Sequence, residues 1–495
     1  MNPTFDKLKT RLAEIEDLRK ITSLLFWDQQ TMMPPSGAGL RAEQLATVGR
    51  MAHELFIAPE TGRLLEELRS YEDGLDPESD EASLIRVSRA DYEKEARVPP
   101  DLHAELTRAA SHGQQVWLEA KAKSDFAGFL PALERNVELK LRYVDCFDGY
   151  AEPYDALLDD YERGMTSGEV RTIFDGLKRE LLPLIAAAAE RDDPSLGEVV
   201  QGDFPVDRQK AFCWNVVERF GVRSSSWRLD PTEHPFASGA GAEDVRITTN
   251  YQPRGLESVF ATMHEYGHGL YEHGIDAALE RTPLGTGVSL GLHESQSRLW
   301  ENLVGRGDPF WHYLYPTLQE TFPEELGSVE RERFVRAVNR VHPSLIRIHA
   351  DEVTYNMHII LRFELEQEIV NGTVALRDLP EEWNRRMHDY LGIEVPDDAH
   401  GVLQDVHWSG GGIGYFPTYS LGNVISVQIW ERLHEDVPDL EERIERGDFE
   451  ALREWLREHL HRHGRKFTPK ETLVKAVGGA IDAGPYVRYL KHKHG

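Results

Sequence analysis

The sequence predicts a mostly helical protein with a small β element beside a metal-binding helix. Three observations lead there. Apolar residues recur at spacings of three and four through most of the 495 residues. One short stretch alternates apolar and polar residues instead. Directly after it, a His-Glu-x-x-His pentad sits in an apolar stripe of helical period.

Taken in chain order, Phe5 to Leu25 places Leu8, Leu12, Ile15, Leu18 and Ile21 on one helical face. The same spacing predicts helices within 64–68, 130–141, 170–184, 334–348, 353–369 and 440–460. Breaks are expected where Pro and Gly cluster, at 33–37, 98–100 and 238–241. Residues 244–251, Asp-Val-Arg-Ile-Thr-Thr-Asn-Tyr, alternate and are rich in β-branched types, which predicts a strand. Lying just before the metal-binding segment, its free edge would pair with an extended peptide. The run Trp408-Ser409-Gly410-Gly411-Gly412-Ile413-Gly414-Tyr415 reads as a loop, because glycine this dense destabilises regular structure. No internal repeat and no linker divides the chain.

Composition narrows the function. The chain has 56 basic and 85 acidic side chains, a net charge of −29. That field argues against nucleic acid or an anionic membrane as partner. Two cysteines, Cys146 and Cys213, make no disulfide framework and read as buried small hydrophobes. The longest apolar patch, Leu181 to Ile185 running into four alanines, is too short to span a bilayer. The first residues show no basic segment leading into an apolar one, so the expectation is a cytoplasmic protein.

The pentad is His264-Glu265-Tyr266-Gly267-His268. Residues four apart stand one above the other on a helix, so two imidazoles can share one ion, and zinc favours nitrogen ligands. Glu265 follows the first histidine and is placed to act as general base on a water at the site. Leu256, Val259, Phe260, Met263, Gly267 and Leu270 form the apolar stripe beside which both histidines lie. Gly267 and Gly269 weaken a helix by roughly 0.5–1 kcal/mol each relative to Ala, which suggests a close backbone neighbour. A catalytic zinc needs three protein ligands and one open position. Glu294, in His293-Glu294-Ser295-Gln296, is the expected third ligand, with His293 as the alternative.

The chain resembles the carboxypeptidase Taq family of metallocarboxypeptidases. The resemblance rests on several signatures in order: Leu25-Phe26-Trp27-Asp28 through Met33-Pro34, His234-Pro235-Phe236, Asp244-Val245-Arg246-Ile247-Thr248, the pentad, His293-Glu294-Ser295-Gln296, Ile346-Arg347-Ile348-His349-Ala350-Asp351 and Gly401-Val402-Leu403-Gln404-Asp405-Val406-His407-Trp408. It implies one catalytic domain over residues 1–495, helical, with two lobes flanking a deep groove, similar to neurolysin and angiotensin-converting enzyme. It also implies removal of single residues from peptide C-termini with broad specificity, zinc with cobalt as substitute, and a homodimer.

Further candidates follow from what such chemistry needs. Tyr415, in the Gly-rich loop, is the expected donor to the developing oxyanion, as in related helical metallopeptidases, and His407 is the second candidate. Each could equally be a packing residue. A free carboxylate is best met by a guanidinium fork. Arg347, in an apolar setting, and Arg246, on the predicted edge strand, are the candidates, with internal salt bridges to Asp351 or Asp244 as the plain alternative. Gln404 and Asp405 are read as orienting groups behind the site. An oligopeptidase or dipeptidase on the same fold is one competing reading. A zinc-bearing binding protein is the other, and Glu265 argues against it, since a structural zinc site has no use for a base.

Overall fold

The first helix runs from Pro3 to Thr31, and the Asn2 side chain accepts the Thr4 amide at 2.9 Å to cap it. Its first half buries Phe5, Leu8, Leu12 and Ile15. The predicted face does not continue: Ile21 is exposed, and the second half instead delivers Trp27 to the β-sheet. The computed structural model describes residues 2–495 and is mostly helical, with one three-stranded sheet. No helix in it is long and apolar enough to cross a membrane. Cys146 and Cys213 are both free; Cys213 is buried and Cys146 partly so.

Two apolar clusters organise the chain. The smaller joins the first helix to residues of the next few helices, Phe56, Leu64 and Ile85 among them, and reaches Ile275 and Leu279. The larger takes in the sheet, the metal-binding helix and the long C-terminal helices. Helices at 126–144, 167–190 and 355–370 follow the predicted periodicity.

Four expectations are corrected. The helix predicted over 334–348 stops at Val338, and only a short 3-10 turn, Arg347–His349, follows; Pro343 lies in this stretch, and the residue before a proline is disfavoured in helix. The helix predicted over 440–460 is two, Leu440–Glu445 and Glu450–His459, parted by Gly447 at φ 74°. Residues 238–241 are not a break but part of a strand, β2 (Ala237–Gly241). The alternating stretch forms β3 (Asp244–Thr249) with Val245 and Ile247 buried, yet it is not an edge. The order is β1 (Trp227–Pro231), β3, β2, with β1 parallel and β2 antiparallel to β3. Both ladders of β3 are occupied, so a further strand can add only at β1 or β2.

Trp27 docks the first helix on this sheet. The guanidiniums of Arg228 and Arg246 both lie over its ring, at 4.5 and 4.4 Å from the ring centroid. These two arginines are register partners on β1 and β3, and each is paired bidentately with an aspartate on its own strand, Asp230 or Asp244.

Candidate metal centre

The metal-binding helix spans Glu257–Gly274, with Val259, Met263, Tyr266 and Leu270 buried. It is crossed by the helix Leu290–Arg298, which carries Glu294. Gly267 permits the crossing: a Cβ there would stand 2.6 Å from Ser297 Cα. That is the expected backbone approach. Gly269 serves differently, since its missing side chain leaves room for the Trp227 ring and Val245.

The crossing brings His264, His268 and Glu294 together, with one donor atom from each lying within 4.8 Å of the others. Glu294 Oε2 is 3.6 Å from His264 Nε2 and 3.4 Å from His268 Nε2. A tetrahedron with metal–ligand arms of about 2.1 Å has edges of about 3.4 Å, and both distances from Glu294 Oε2 match such an edge. Each imidazole side chain is 19% exposed, which leaves the pair reachable from solvent.

Each histidine is held at its other nitrogen. His264 Nδ1 meets Glu301 Oε2 at 2.9 Å, and Arg298 donates to both Glu301 and Glu294, at 3.1 and 2.7 Å. Glu301 lies on the π-helical segment Leu299–Val304 that continues the Glu294 helix. Sequence reasoning missed Glu301 and Arg298, although residues 294, 298 and 301 share a helical face. His268 Nδ1 lies 2.7 Å from His293 Nδ1, so His293 faces the back of the ring rather than the ion position.

Charge follows the geometry. Burial alone would raise the Glu294 carboxyl, but Arg298 and the two imidazoles hold it far below the ordinary range. Burial presses His268 down to about 4, so it is neutral and has a lone pair to give. Burial also lifts Glu265 to about 7. A carboxylate poised there suits proton transfer near neutrality.

Three of the remaining candidates, Arg347, Tyr415 and His407, belong to a connected aromatic and basic wall. Arg298 lies over the Tyr355 ring at 4.4 Å. Tyr355 Oη accepts from Arg347 Nη1 at 3.0 Å, and Arg347 also lies over Tyr419 at 5.0 Å from its centroid. Tyr415 packs against both Tyr419 and His407, at 5.3 and 5.2 Å between centroids. His407 Nε2 is 3.2 Å from Tyr419 Oη, while its Nδ1 is buried without a partner. Arg347 is therefore linked to the metal cluster through Tyr355 and Arg298. Its internal partner is Asp405, reached by Nε and Nη2 at 3.0 and 2.7 Å, and not Asp351, which accepts the Val353 and Thr354 amides. Gln404 and Asp405 order Arg347 and the buried Arg362. Arg246 is engaged by Asp244 and Trp27 on the far side of the sheet's central strand.

The Gly-rich loop is tied down by Glu366, which the sequence did not single out. Its carboxylate accepts from Tyr154 Oη, Trp408 Nε1 and the Gly414 amide at 2.7, 2.8 and 3.0 Å. Gly414 has φ 95°, and a Cβ there would meet the Leu157 carbonyl at 2.8 Å. This fixes the backbone that presents Tyr415.

Known proteins match over the same span. Residues 7–494 match the family model described as carboxypeptidase Taq (M32) metallopeptidase. The thermostable carboxypeptidase 1 of Thermus thermophilus is 40% identical, covering 96% of this chain and 95% of its own. Carboxypeptidase 1 of Bacillus subtilis is 36% identical, over 99% and 97%. Among solved structures, the M32 carboxypeptidase of Deinococcus radiodurans R1 superposes with a TM-score of 0.97 at 40% identity, covering 100% of this chain and 99% of the other. The Pyrococcus furiosus carboxypeptidase superposes with a TM-score of 0.96 at 36% identity, with the same coverage.

Proposed function

Because the chain belongs to the carboxypeptidase Taq (M32) family and is accordingly a metallocarboxypeptidase, we propose that it removes single residues from peptide C-termini with broad specificity, using Zn²⁺, or Co²⁺ in its place, held by His264, His268 and Glu294. The observation that supports this best is the cluster of one donor atom from each of the three, partly open to solvent, with Glu265 next to His264 in the chain. When bound there, a divalent ion would supply Lewis acidity, sharpening a water for attack and polarising the scissile carbonyl.

The chain's own groups do the rest. Glu265 takes the proton of the attacking water and hands it to the leaving amine. Tyr415 donates its hydroxyl to the oxyanion, a contact worth about 3–4 kcal/mol. His407, with its unpartnered Nδ1, is the second polar contact on the same wall. Arg347 receives the substrate carboxylate. Three of its five N–H groups are engaged by Asp405 and Tyr355, which hold the fork in place while two remain to donate. Arg246, fixed by Asp244 and Trp27, is the second arginine proposed to act on substrate. The peptide backbone adds along the outer edge of β2, the edge not paired with β3. Assembly as a homodimer is proposed on the family likeness, and a cytoplasmic location is proposed as well.

The test is a chelation and add-back assay on two N-blocked peptides that differ only at the C-terminus. The free acid should lose residues one at a time after Zn²⁺ or Co²⁺ is restored, and its amide should not. Internal cleavage of the amide at the same rate would overturn the exopeptidase reading in favour of an oligopeptidase.

A further inference from the structure

We propose that His293 and Glu272 are positioning residues that hold His268 in its metal-binding tautomer and set how tightly the ion is kept. The inference rests on reading His264, His268 and Glu294 as ligands. Its basis is a chain of three side chains running away from the cluster. His268 Nδ1 and His293 Nδ1 are 2.7 Å apart, and His293 Nε2 is 3.0 Å from Glu272 Oε1.

The protons along this chain can be assigned by elimination. An ionised carboxylate only accepts, so a neutral His293, with one proton to place, carries it on Nε2 and gives it to Glu272. His293 Nδ1 is then an acceptor. The facing nitrogen must donate, so His268 carries its proton on Nδ1. That leaves the His268 Nε2 lone pair directed to the side where Glu294 Oε2 lies at 3.4 Å. One carboxylate thus selects the tautomer of a ligand it does not touch.

The slot that holds His293 is built for this. A Cβ on Gly287 would stand 2.6 Å from His293 Cδ2, so only glycine leaves the ring its place. Tyr271 packs on the imidazole at 5.1 Å between centroids. Glu272 is itself fixed by the Gly287 amide and the Thr286 hydroxyl, at 3.0 and 3.2 Å. It sits one turn after His268 on the metal-binding helix, so helix geometry sets the length of the relay. His264 obtains the same service in a single step from Glu301. The two ligands are therefore supported unequally, and removing the inserted imidazole leaves His268 free to rotate or to change tautomer.

The test uses the full chain with Zn²⁺ as probe. Affinity is measured by competition with a chromophoric chelator, and release by transfer of zinc to excess chelator. H293A should bind zinc 10–100-fold more weakly, the usual effect of losing a group behind a ligand. H293N, whose side-chain oxygen replaces Nδ1 as acceptor, should recover most of that loss, while the metal-free forms melt together. E272Q, which keeps the fold of the slot, should weaken binding as well and serves if H293A does not fold. Native affinity and release in both H293A and E272Q, or no recovery in H293N, would overturn the proposal. A native chain that binds no zinc would sink the metal reading itself, a distinct result.

Discussion

Gly422 faces Glu294 so closely that a Cβ on it would stand 2.6 Å from Glu294 Cβ and 2.5 Å from its Cγ. The helix Pro417–Asp436 thereby presses against the helix that carries the third ligand. Gly422 is fully inside a helix, where Ala is ordinarily better by roughly 1 kcal/mol. G422A should reverse that sign. Overpacking of this kind costs about 1–3 kcal/mol, and here the displaced group is a metal ligand. The expected result is a lower melting temperature and substoichiometric zinc after dialysis; a stabilised, fully loaded variant would contradict the packing.

How much of this was legible in the sequence depends on the range of the interactions. His264, Glu265 and His268 could be read directly, because their chemistry is set by a four-residue spacing. Glu294 needed the rule that a catalytic ion takes three ligands together with its place in the His-Glu-Ser-Gln run that follows the pentad. Residues 237–241, Ala-Ser-Gly-Ala-Gly, carry no strand propensity and became a strand only by pairing with β3. Glu301 shares a helical face with Glu294, but its place behind His264 follows only from the crossing of two helices. The wall of Tyr355, Arg347, Tyr419 and Tyr415 joins segments some 70 positions apart, which no local pattern reveals.

Glu265 is 5% exposed and makes no ion pair within 4.0 Å among the described residues, so removing its charge should leave the fold and the ligand cluster intact. E265Q should keep zinc near one per chain and lose about 10²–10⁴-fold in kcat, the range for a general base. Activity surviving within a few-fold of native would show that the proton goes elsewhere.

Tyr415 separates packing from catalysis cleanly, because Y415F retains the ring that meets Tyr161, Tyr419 and His407. If the hydroxyl serves the oxyanion, kcat should fall about 10²–10³-fold with KM little changed. An unchanged kcat would leave Tyr415 as a packing residue and move the role to His407.

Glu366 gives a pH-dependent prediction about stability. It is fully buried, and burial, opposed by its three hydrogen-bond donors, raises its carboxyl from the ordinary 4.5 to about 7. Below pH 4.5 the group is protonated in both folded and unfolded chains. As pH rises the unfolded chain loses this proton first, so the folded state binds more protons and stability falls with pH. The contribution is complete below about 4.5 and is lost as pH climbs through about 7. The gap corresponds to on the order of 3 kcal/mol. E366Q has no proton to lose at this position, so other titrating groups cancel when the two proteins are compared. The unfolding free energy of the native chain minus that of E366Q, from denaturant melts, should therefore shrink by that order between pH 4.5 and 8. A difference that stays flat over this range would mean that the Gly414 loop is held by a carboxylate already ionised when folded, and that the three donors outweigh burial.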